Sequence, residues 1–211
     1  MKTRQKLWLI AITALLLTLL FALCASAETV SGDCGKTSSD AVTWSLDTET
    51  GVLTISGTGN MVNYADVANR PWNDYATSIT EIIVEEGVTG IGNRAFRDLT
   101  NVTKISLPEG LLLIDQYALK GCTGLSELTL PSTLTTLNYQ ALNGCKGLTS
   151  LVVPASVKTV GNQVFSSSSN LATVVYLSTD TTFGTGSLTF PETTVIYLLR
   201  GLHRTNLCNG T

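Results

Sequence analysis

The sequence has few of the side chains on which most catalytic and metal sites depend. It contains one histidine, His203, and charged residues make up only 14% of its 211 positions. A Ser–His or Cys–His nucleophile pair therefore cannot form away from the C-terminal end. No two of the cysteines at positions 34, 122, 145 and 208 have the close spacing that is typical of a zinc site. The sequence predicts no enzyme, no metal site and no cofactor.

Blocks of like charge are also absent. Without the first 27 residues the chain has 10 basic and 16 acidic residues, a net charge of −6. A nucleic-acid partner requires a basic surface, so none is expected. Hydrophobic residues make up 44% of the chain, which is enough to form a core.

The one long apolar run lies at the N-terminus. The run Leu7–Leu23 follows the basic stretch MKTRQK, and Ala25 and Ala27 give the small-x-small pattern of a cleavage site. We predict a signal peptide over residues 1–27 and no other membrane segment. An uncleaved anchor is an alternative, because the run approaches the roughly 20 residues that span a bilayer. Lipidation at Cys24 is a further alternative. It is less favoured, because a lipidation site needs a small residue just before the cysteine and Leu23 stands there.

A period of 23 residues begins at Ile79 and continues to about residue 197. Apolar residues recur at repeat positions 1, 4, 6, 10, 13, 17 and 18, as in the lines VTKISLPEGLLLIDQYALKGCTG and LSELTLPSTLTTLNYQALNGCKG. Positions 4 and 6 alternate with polar neighbours, which predicts a strand with one buried face. A single repeat cannot bury these side chains, but stacked repeats bury them in continuous columns. We therefore predict a repeat solenoid with one coil per line.

The repeat LxxLxLPxxLxxIxxxALxGC resembles the BspA-like class of bacterial leucine-rich repeat. The leader GDCGKTSSDAVTWSLDTETGVLTISGTGNM resembles the segment that often precedes such arrays. The resemblance implies a leucine-rich repeat fold with a curved parallel β-sheet and short helical turns on its convex side. It also implies a non-catalytic secreted or cell-surface protein that mediates adhesion or protein binding. An architectural module of a larger surface protein, without a ligand of its own, is the alternative.

Residues 28–78 show no repeat. The alternating runs VTWSL and VLTISG, separated by the polar turn DTETG, predict a β-hairpin. A solenoid needs a cover over its first coil. We predict that this hairpin, with Trp44 and Trp72, is an N-terminal cap.

The predicted binding surface is the outward face of the concave strands, at repeat positions 3 and 5. Its residues are Glu81, Ile83, Lys104, Ser106, Glu127, Thr129, Ser150, Val152, Thr173 and Val175. Lys104 stands between two glutamates, so a ladder of opposite charges could simply stabilise the sheet. A host or neighbouring-cell protein is the expected partner, and a glycan is the less favoured one.

Cys122 and Cys145 occupy the same repeat position one coil apart. A disulfide would be geometrically feasible at the roughly 4.8 Å spacing of adjacent strands. However, Leu99 and Ser168 fill this position in the flanking coils, which favours two small buried thiols.

The tail of residues 198–211 breaks the pattern. It carries His203 and Cys208 without periodicity. Arrays of the BspA-like class typically end in a segment resembling CYEGSTAxTYAxE. A back-translation of the tail with suitable third bases, read one base later, permits this ending. We therefore hypothesise a frameshift near Leu198, which the nucleotide sequence of the gene would test.

Overall fold

The computed structural model describes residues 28–178, 180–183 and 194–198. These residues form thirteen strands and two short 3-10 helices, Val67–Asn69 and Asn73–Tyr75. The strands are β1 (Thr29–Asp33), β2 (Ala41–Asp47), β3 (Val52–Asn60), β4 (Glu81–Val84), β5 (Val88–Ile91), β6 (Lys104–Ser106), β7 (Leu113–Ile114), β8 (Thr136–Leu137), β9 (Ser150–Val153), β10 (Thr159–Val160), β11 (Thr173–Tyr176), β12 (Thr182–Phe183) and β13 (Val195–Leu198). The predicted signal peptide and nearly all of the atypical tail lie outside the described residues. Within the described ranges, no helix has the length and hydropathy of a membrane span.

The repeats stack as a parallel β-solenoid of about five turns, which confirms the predicted fold. We number the coils 1 to 5 from residues 79, 102, 125, 148 and 171, and we call each repeat position a column. Columns 3 to 6 form the strand wall, which contains β4, β6, β9, β11 and β13. The second wall contains β5, β7, β8, β10 and β12 in that order. Paired residues occupy the same column in adjacent coils, so Glu81 pairs with Lys104 and Ser150 pairs with Thr173.

Columns 4 and 6 of the strand wall face the interior, as their alternation predicts. In β4 half-buried and buried residues alternate, and in β9 exposed and buried residues alternate. Ile82, Leu151 and Val174 are buried, and so is Tyr176, the aromatic residue of column 6. Each buried aliphatic side chain contributes about 1.5–3 kcal/mol of hydrophobic free energy. Because neighbouring coils supply the contacts, this stabilisation exists only in the stack.

The third side of each coil is a turn, which differs from the predicted short helices. We call the stacked turns, residues 93–98, 116–121, 139–144 and 162–167, the turn wall. Alternate backbone N–H groups donate to the next coil, for example from Phe96 to the Ala118 carbonyl at 2.9 Å. A helix would instead direct these groups to its own residue i−4. Left-handed φ values of 53° to 76° recur in columns 16 and 20, at Arg94, Asp98, Tyr117, Gly121, Gln140, Gly144, Gln163 and Ser167.

The N-terminal strands cover the open end of two walls. Strands β1, β2 and β3 pair antiparallel, and β3 then pairs in parallel with β4 and, further along, with β5. Between these two pairings Gly57 has a φ of 103°, and a Cβ on it would lie 1.9 Å from the Ala41 carbonyl oxygen. Only glycine is compatible with this bend. One long strand thereby serves both walls of coil 1.

The segment that follows β3 covers the turn wall at the same end. In later coils, the carbonyl oxygens of columns 15, 17 and 19 accept hydrogen bonds from the preceding coil. Coil 1 has no preceding coil. Three groups of the N-terminal segment donate to coil 1 in its place. Tyr64 N–H donates to the Asn93 carbonyl oxygen at 3.0 Å, Trp72 Nε1 to the Ala95 oxygen at 3.2 Å and Arg70 Nη1 to the Arg97 oxygen at 2.6 Å. Side chains thus replace two of the three backbone donors.

Candidate functional site

The ten side chains predicted for binding all lie on the outer face of the strand wall. They are exposed in coils 2 to 4 and half-buried in coils 1 and 5. Lys104 Nζ lies 2.7 Å from Glu81 Oε1, which forms the expected ion pair. This hydrogen bond, together with the charge of Glu81, raises the pKa of the Lys104 amine. In the described part of the chain, Lys104 makes no such pair with Glu127 on its other side.

The strand wall is interrupted at coil 3. Residues 127–130 occupy columns 3 to 6 there but belong to no strand, so β6 and β9 are not linked through them. Among the described residues, the backbone N–H and C=O groups of residues 127–130 have no backbone hydrogen-bond partner. The second wall remains paired through the same coil, since Thr136 pairs with both Leu113 and Thr159. The interruption at coil 3 therefore affects the strand wall and not the second wall.

Clefts lie on both sides of this unpaired segment. The larger cleft, between coils 3 and 4, has a volume of about 470 Å³. Its lining residues are Glu109, Ser126, Glu127, Leu128, Thr129, Leu130, Ser132, Ser150, Leu151, Val152, Pro154 and Leu177. The smaller cleft, of about 270 Å³ between coils 2 and 3, is lined by Lys104, Ile105, Ser106, Leu107, Glu109, Glu127, Thr129 and Pro131. Unpaired backbone groups need water or a ligand as a partner, and both clefts provide access to them.

The structure brings six of the ten predicted residues to these clefts. Glu127, Thr129, Ser150 and Val152 line the larger cleft, and Lys104 and Ser106 join the first two of them at the smaller one. The remaining four, Glu81, Ile83, Thr173 and Val175, line neither of the two.

Leu177 and Glu109 also line the larger cleft, although the repeat pattern did not predict them. Val152 and Leu177 expose 50% and 38% of their surface, which places two large apolar side chains at the larger cleft. Column 7 is proline in coils 2 to 4 and leucine in coil 5, so the sequence itself marks Leu177 as an exception to the repeat. Glu109 accepts hydrogen bonds from the Ser132 N–H at 3.1 Å and Oγ at 2.8 Å. Coils 2 and 3 are therefore joined again just beyond the interruption.

The buried cysteines do not form a reactive site. Cys122 and Cys145 are free, and their Sγ atoms donate to the Phe96 and Leu119 carbonyl oxygens at 3.2 and 3.3 Å. Ser168 makes the same bond one coil later. Burial raises the pKa of the Cys122 thiol, and burial raises that of Cys145 to about 12. Thiolates, the nucleophilic form, are therefore not populated at neutral pH.

The described ranges contain no group of three or more His, Cys, Asp or Glu residues that could hold a metal ion. The geometry instead defines a leucine-rich repeat solenoid with an open surface. The sequence model of the BspA-type leucine-rich repeat region matches residues 74–192 in six copies. The chain belongs to the BspA-type leucine-rich repeat family. No curated protein matches it.

Solved structures of bacterial leucine-rich repeat proteins are similar to this chain. A leucine-rich repeat protein from Eubacterium ventriosum has a TM-score of 0.60 and 23% identity, covering 81% of this chain and 44% of that one. The pneumococcal vaccine antigen PcpA has a TM-score of 0.53 and 22% identity, covering 77% and 42%. A leucine-rich cell surface protein from Faecalibacterium prausnitzii has a TM-score of 0.50 and 16% identity, covering 82% and 56%. The chain thus spans about half or less of the length of these proteins.

Proposed function

We propose that this chain is a non-catalytic, secreted or surface-associated protein that binds another protein at the larger cleft and so mediates adhesion. Repeat solenoids commonly bind partners along an extended face. One similar structure is that of a cell surface protein and another that of a vaccine antigen. Export with removal of residues 1–27 is part of the proposal. Mass analysis of secreted protein beginning at Glu28 would support it, and secreted protein beginning at Met1 would contradict it.

The interruption at coil 3 is the observation that carries the proposal. Strand backbones normally bond to a neighbouring strand, yet residues 127–130 have no such partner within the described chain. An extended protein segment carries the complementary N–H and C=O groups as well as apolar side chains for Val152 and Leu177. Glu127 is exposed and has no ion pair in this part of the chain. We expect a basic residue in the bound segment, because complementary charges favour encounter.

Binding of the purified protein to a panel of host extracellular-matrix proteins and to whole bacterial cells tests this proposal. Val152→Asp should weaken binding to any captured partner by at least about tenfold, since an unpaired charge in an interface core costs more than about 1.4 kcal/mol. Thr159→Asp is the matched control, because Thr159 is an exposed strand residue of the second wall. It should leave the affinity within about twofold. Circular dichroism should show both variants folded.

Two outcomes contradict cleft binding. A partner that binds Val152→Asp as tightly as the parent protein would exclude the cleft as its site. Binding to no member of the panel would favour an architectural role within a larger surface assembly. That second function is supported by the length of the similar structures, of which this chain covers 44% and 42% in two cases.

A further inference from the structure

The turn wall carries a concentration of positive charge in a chain whose net charge without residues 1–27 is −6. All three arginines of the described ranges, Arg70, Arg94 and Arg97, lie at its N-terminal end, and Lys120 joins them from coil 2. No glutamate of the described residues occupies this wall. The cations thus gather on a different wall from the cleft.

Three of these cations surround one aromatic ring. Arg94 Cζ lies 4.8 Å from the centre of the Tyr117 ring, Lys120 Nζ lies 5.3 Å from it and Arg97 Cζ lies 5.8 Å from it. The ring of Tyr139 packs edge-on against Tyr117, with centroids 5.2 Å apart. We call Arg94, Arg97, Lys120 and Tyr117 the cationic cluster. The ring attracts each cation, but it does not neutralise their mutual repulsion.

Carboxylates balance little of this charge. Asp98 pairs with Arg97 at 3.0 Å, and it makes the only ion pair to the cluster within the described residues. Asp115 accepts hydrogen bonds from the Asn138 side chain and the Gln116 N–H instead. Arg70 lies buried behind the cluster. It donates only to neutral acceptors, which include the Arg97 carbonyl oxygen. The cluster therefore keeps an excess of positive charge.

Most hydrogen-bond donors of the cluster are also available. Arg94 donates through Nη1 alone, to the Tyr64 carbonyl oxygen and the Asn93 side chain. Arg97 donates through Nε alone, and Lys120 makes one bond, to Gln140 Oε1. In the described part of the chain, the remaining guanidinium N–H groups have no partner. Such planar forks match the oxygens of carboxylate, sulfate and phosphate groups.

The backbone beneath the cluster adopts a left-handed conformation that recurs in column 16 of coils 1 to 4. Arg94 and Tyr117 have left-handed φ values of 58° and 57°, a conformation that is unfavourable for residues other than glycine. Column 20 adopts the same conformation with glycine at positions 121 and 144. Column 16 never uses glycine in coils 1 to 4. Column 16 therefore keeps side chains at a left-handed backbone position that glycine would adopt without strain.

We propose that the cationic cluster binds an acidic carbohydrate, with its sulfate or carboxylate groups on Arg94, Arg97 and Lys120. The Asn93 side-chain amide nitrogen beside Arg94, whose oxygen accepts from Arg94 Nη1, remains available as a donor to a sugar hydroxyl group. The proposal is independent of the proposed function, because this cluster and the larger cleft share no residue.

Titration calorimetry with the full-length protein tests this proposal. The probes are a heparin-derived sulfated hexasaccharide, the same hexasaccharide desulfated and N-acetylated, and a short DNA duplex. We expect the sulfated probe to bind and its affinity to fall with added salt. Arg97→Gln and Lys120→Gln should each weaken binding by about tenfold, as expected when a charge-assisted contact is lost. Lys158→Gln, the matched control, removes a lysine outside the cluster and should have no effect.

Asp98→Asn gives a test of opposite sign. It frees Arg97 from its ion pair, so binding of the sulfated probe should become tighter, by about threefold or more. Asparagine tolerates the left-handed φ of 58° at this position. A merely structural effect would not strengthen binding. The proposal is overturned if the sulfated probe fails to bind or if the desulfated probe binds equally well. It is also overturned if DNA binds as tightly as the sulfated probe, or if Lys158→Gln weakens binding as much as Arg97→Gln.

Discussion

The Arg70 guanidinium donates a hydrogen bond to the Arg97 carbonyl oxygen at 2.6 Å. In later coils, the equivalent oxygen accepts from a backbone N–H of the coil before it, as the Lys120 oxygen does from Asp98. A buried side chain thus takes the place of a missing coil. Burial lowers the pKa of Arg70, and the negative charge of Asp98 opposes this effect.

Arg70→Met tests this capping role. Methionine retains the apolar stem but leaves the Arg97 oxygen without its donor, which should cost about 1–3 kcal/mol. Urea unfolding measures the loss. Lys146→Met removes an exposed lysine and should change the free energy of unfolding by less than about 0.5 kcal/mol. Equal midpoints for the two variants would show that the Arg70 hydrogen bonds do not stabilise the cap.

Amide hydrogen exchange tests the interruption of the strand wall. Among the described residues strand β9 pairs only with β11, so alternate amides of β9, those of Leu151 and Val153, are bonded to it. The amides of Leu128 and Leu130 should therefore exchange faster than those of Leu151 and Val153. Both segments occupy the same columns, so β9 is an internal control. Equal protection in the two segments would mean that coil 3 pairs with its neighbours in solution.

Ser167→Gly should stabilise the protein. Ser167 has a φ of 62° in column 20, where coils 2 and 3 have glycine. Glycine removes the left-handed strain, and we expect a gain of up to about 1 kcal/mol in the free energy of unfolding. Ser166→Gly is the control, because this neighbour has no positive φ and glycine there should destabilise by roughly 0.5–1 kcal/mol. A loss of stability at Ser167 would contradict the strain argument.

Cys122 and Cys145 should remain unmodified by an alkylating reagent at neutral pH until the protein unfolds. Both side chains are fully buried, and burial raises the pKa of Cys145 to about 12. Mass spectrometry before and after denaturation measures the labelling. Cys145→Ser should fold, since Ser168 makes the equivalent hydrogen bond in the next coil. Resistance of both thiols to labelling in denaturant without reductant would instead indicate a disulfide.

The 23-residue period by itself determined the solenoid and the direction of most side chains. Its columns follow from two local properties, the alternation along a strand and the requirement that stacked coils bury apolar residues. The sequence therefore predicted the outward position of Thr129 and Val152 and the inward position of Tyr176. It also favoured free thiols at Cys122 and Cys145, because Leu99 and Ser168 fill the same column.

Only the tertiary structure decided where that regularity ends. The line LSELTLP in coil 3 fits the repeat as well as its neighbours do, yet residues 127–130 have no strand partner in the part of the chain that the structure describes, because strand pairing is a contact between coils that the pattern within one coil does not specify. Turns with left-handed residues replace the expected helices, since their N–H groups bond between coils. Arg94 and Tyr117 are one repeat apart in the chain, and stacking brings the guanidinium to 4.8 Å from the ring centre. Such contacts depend on the distance between coils, which a linear pattern does not encode.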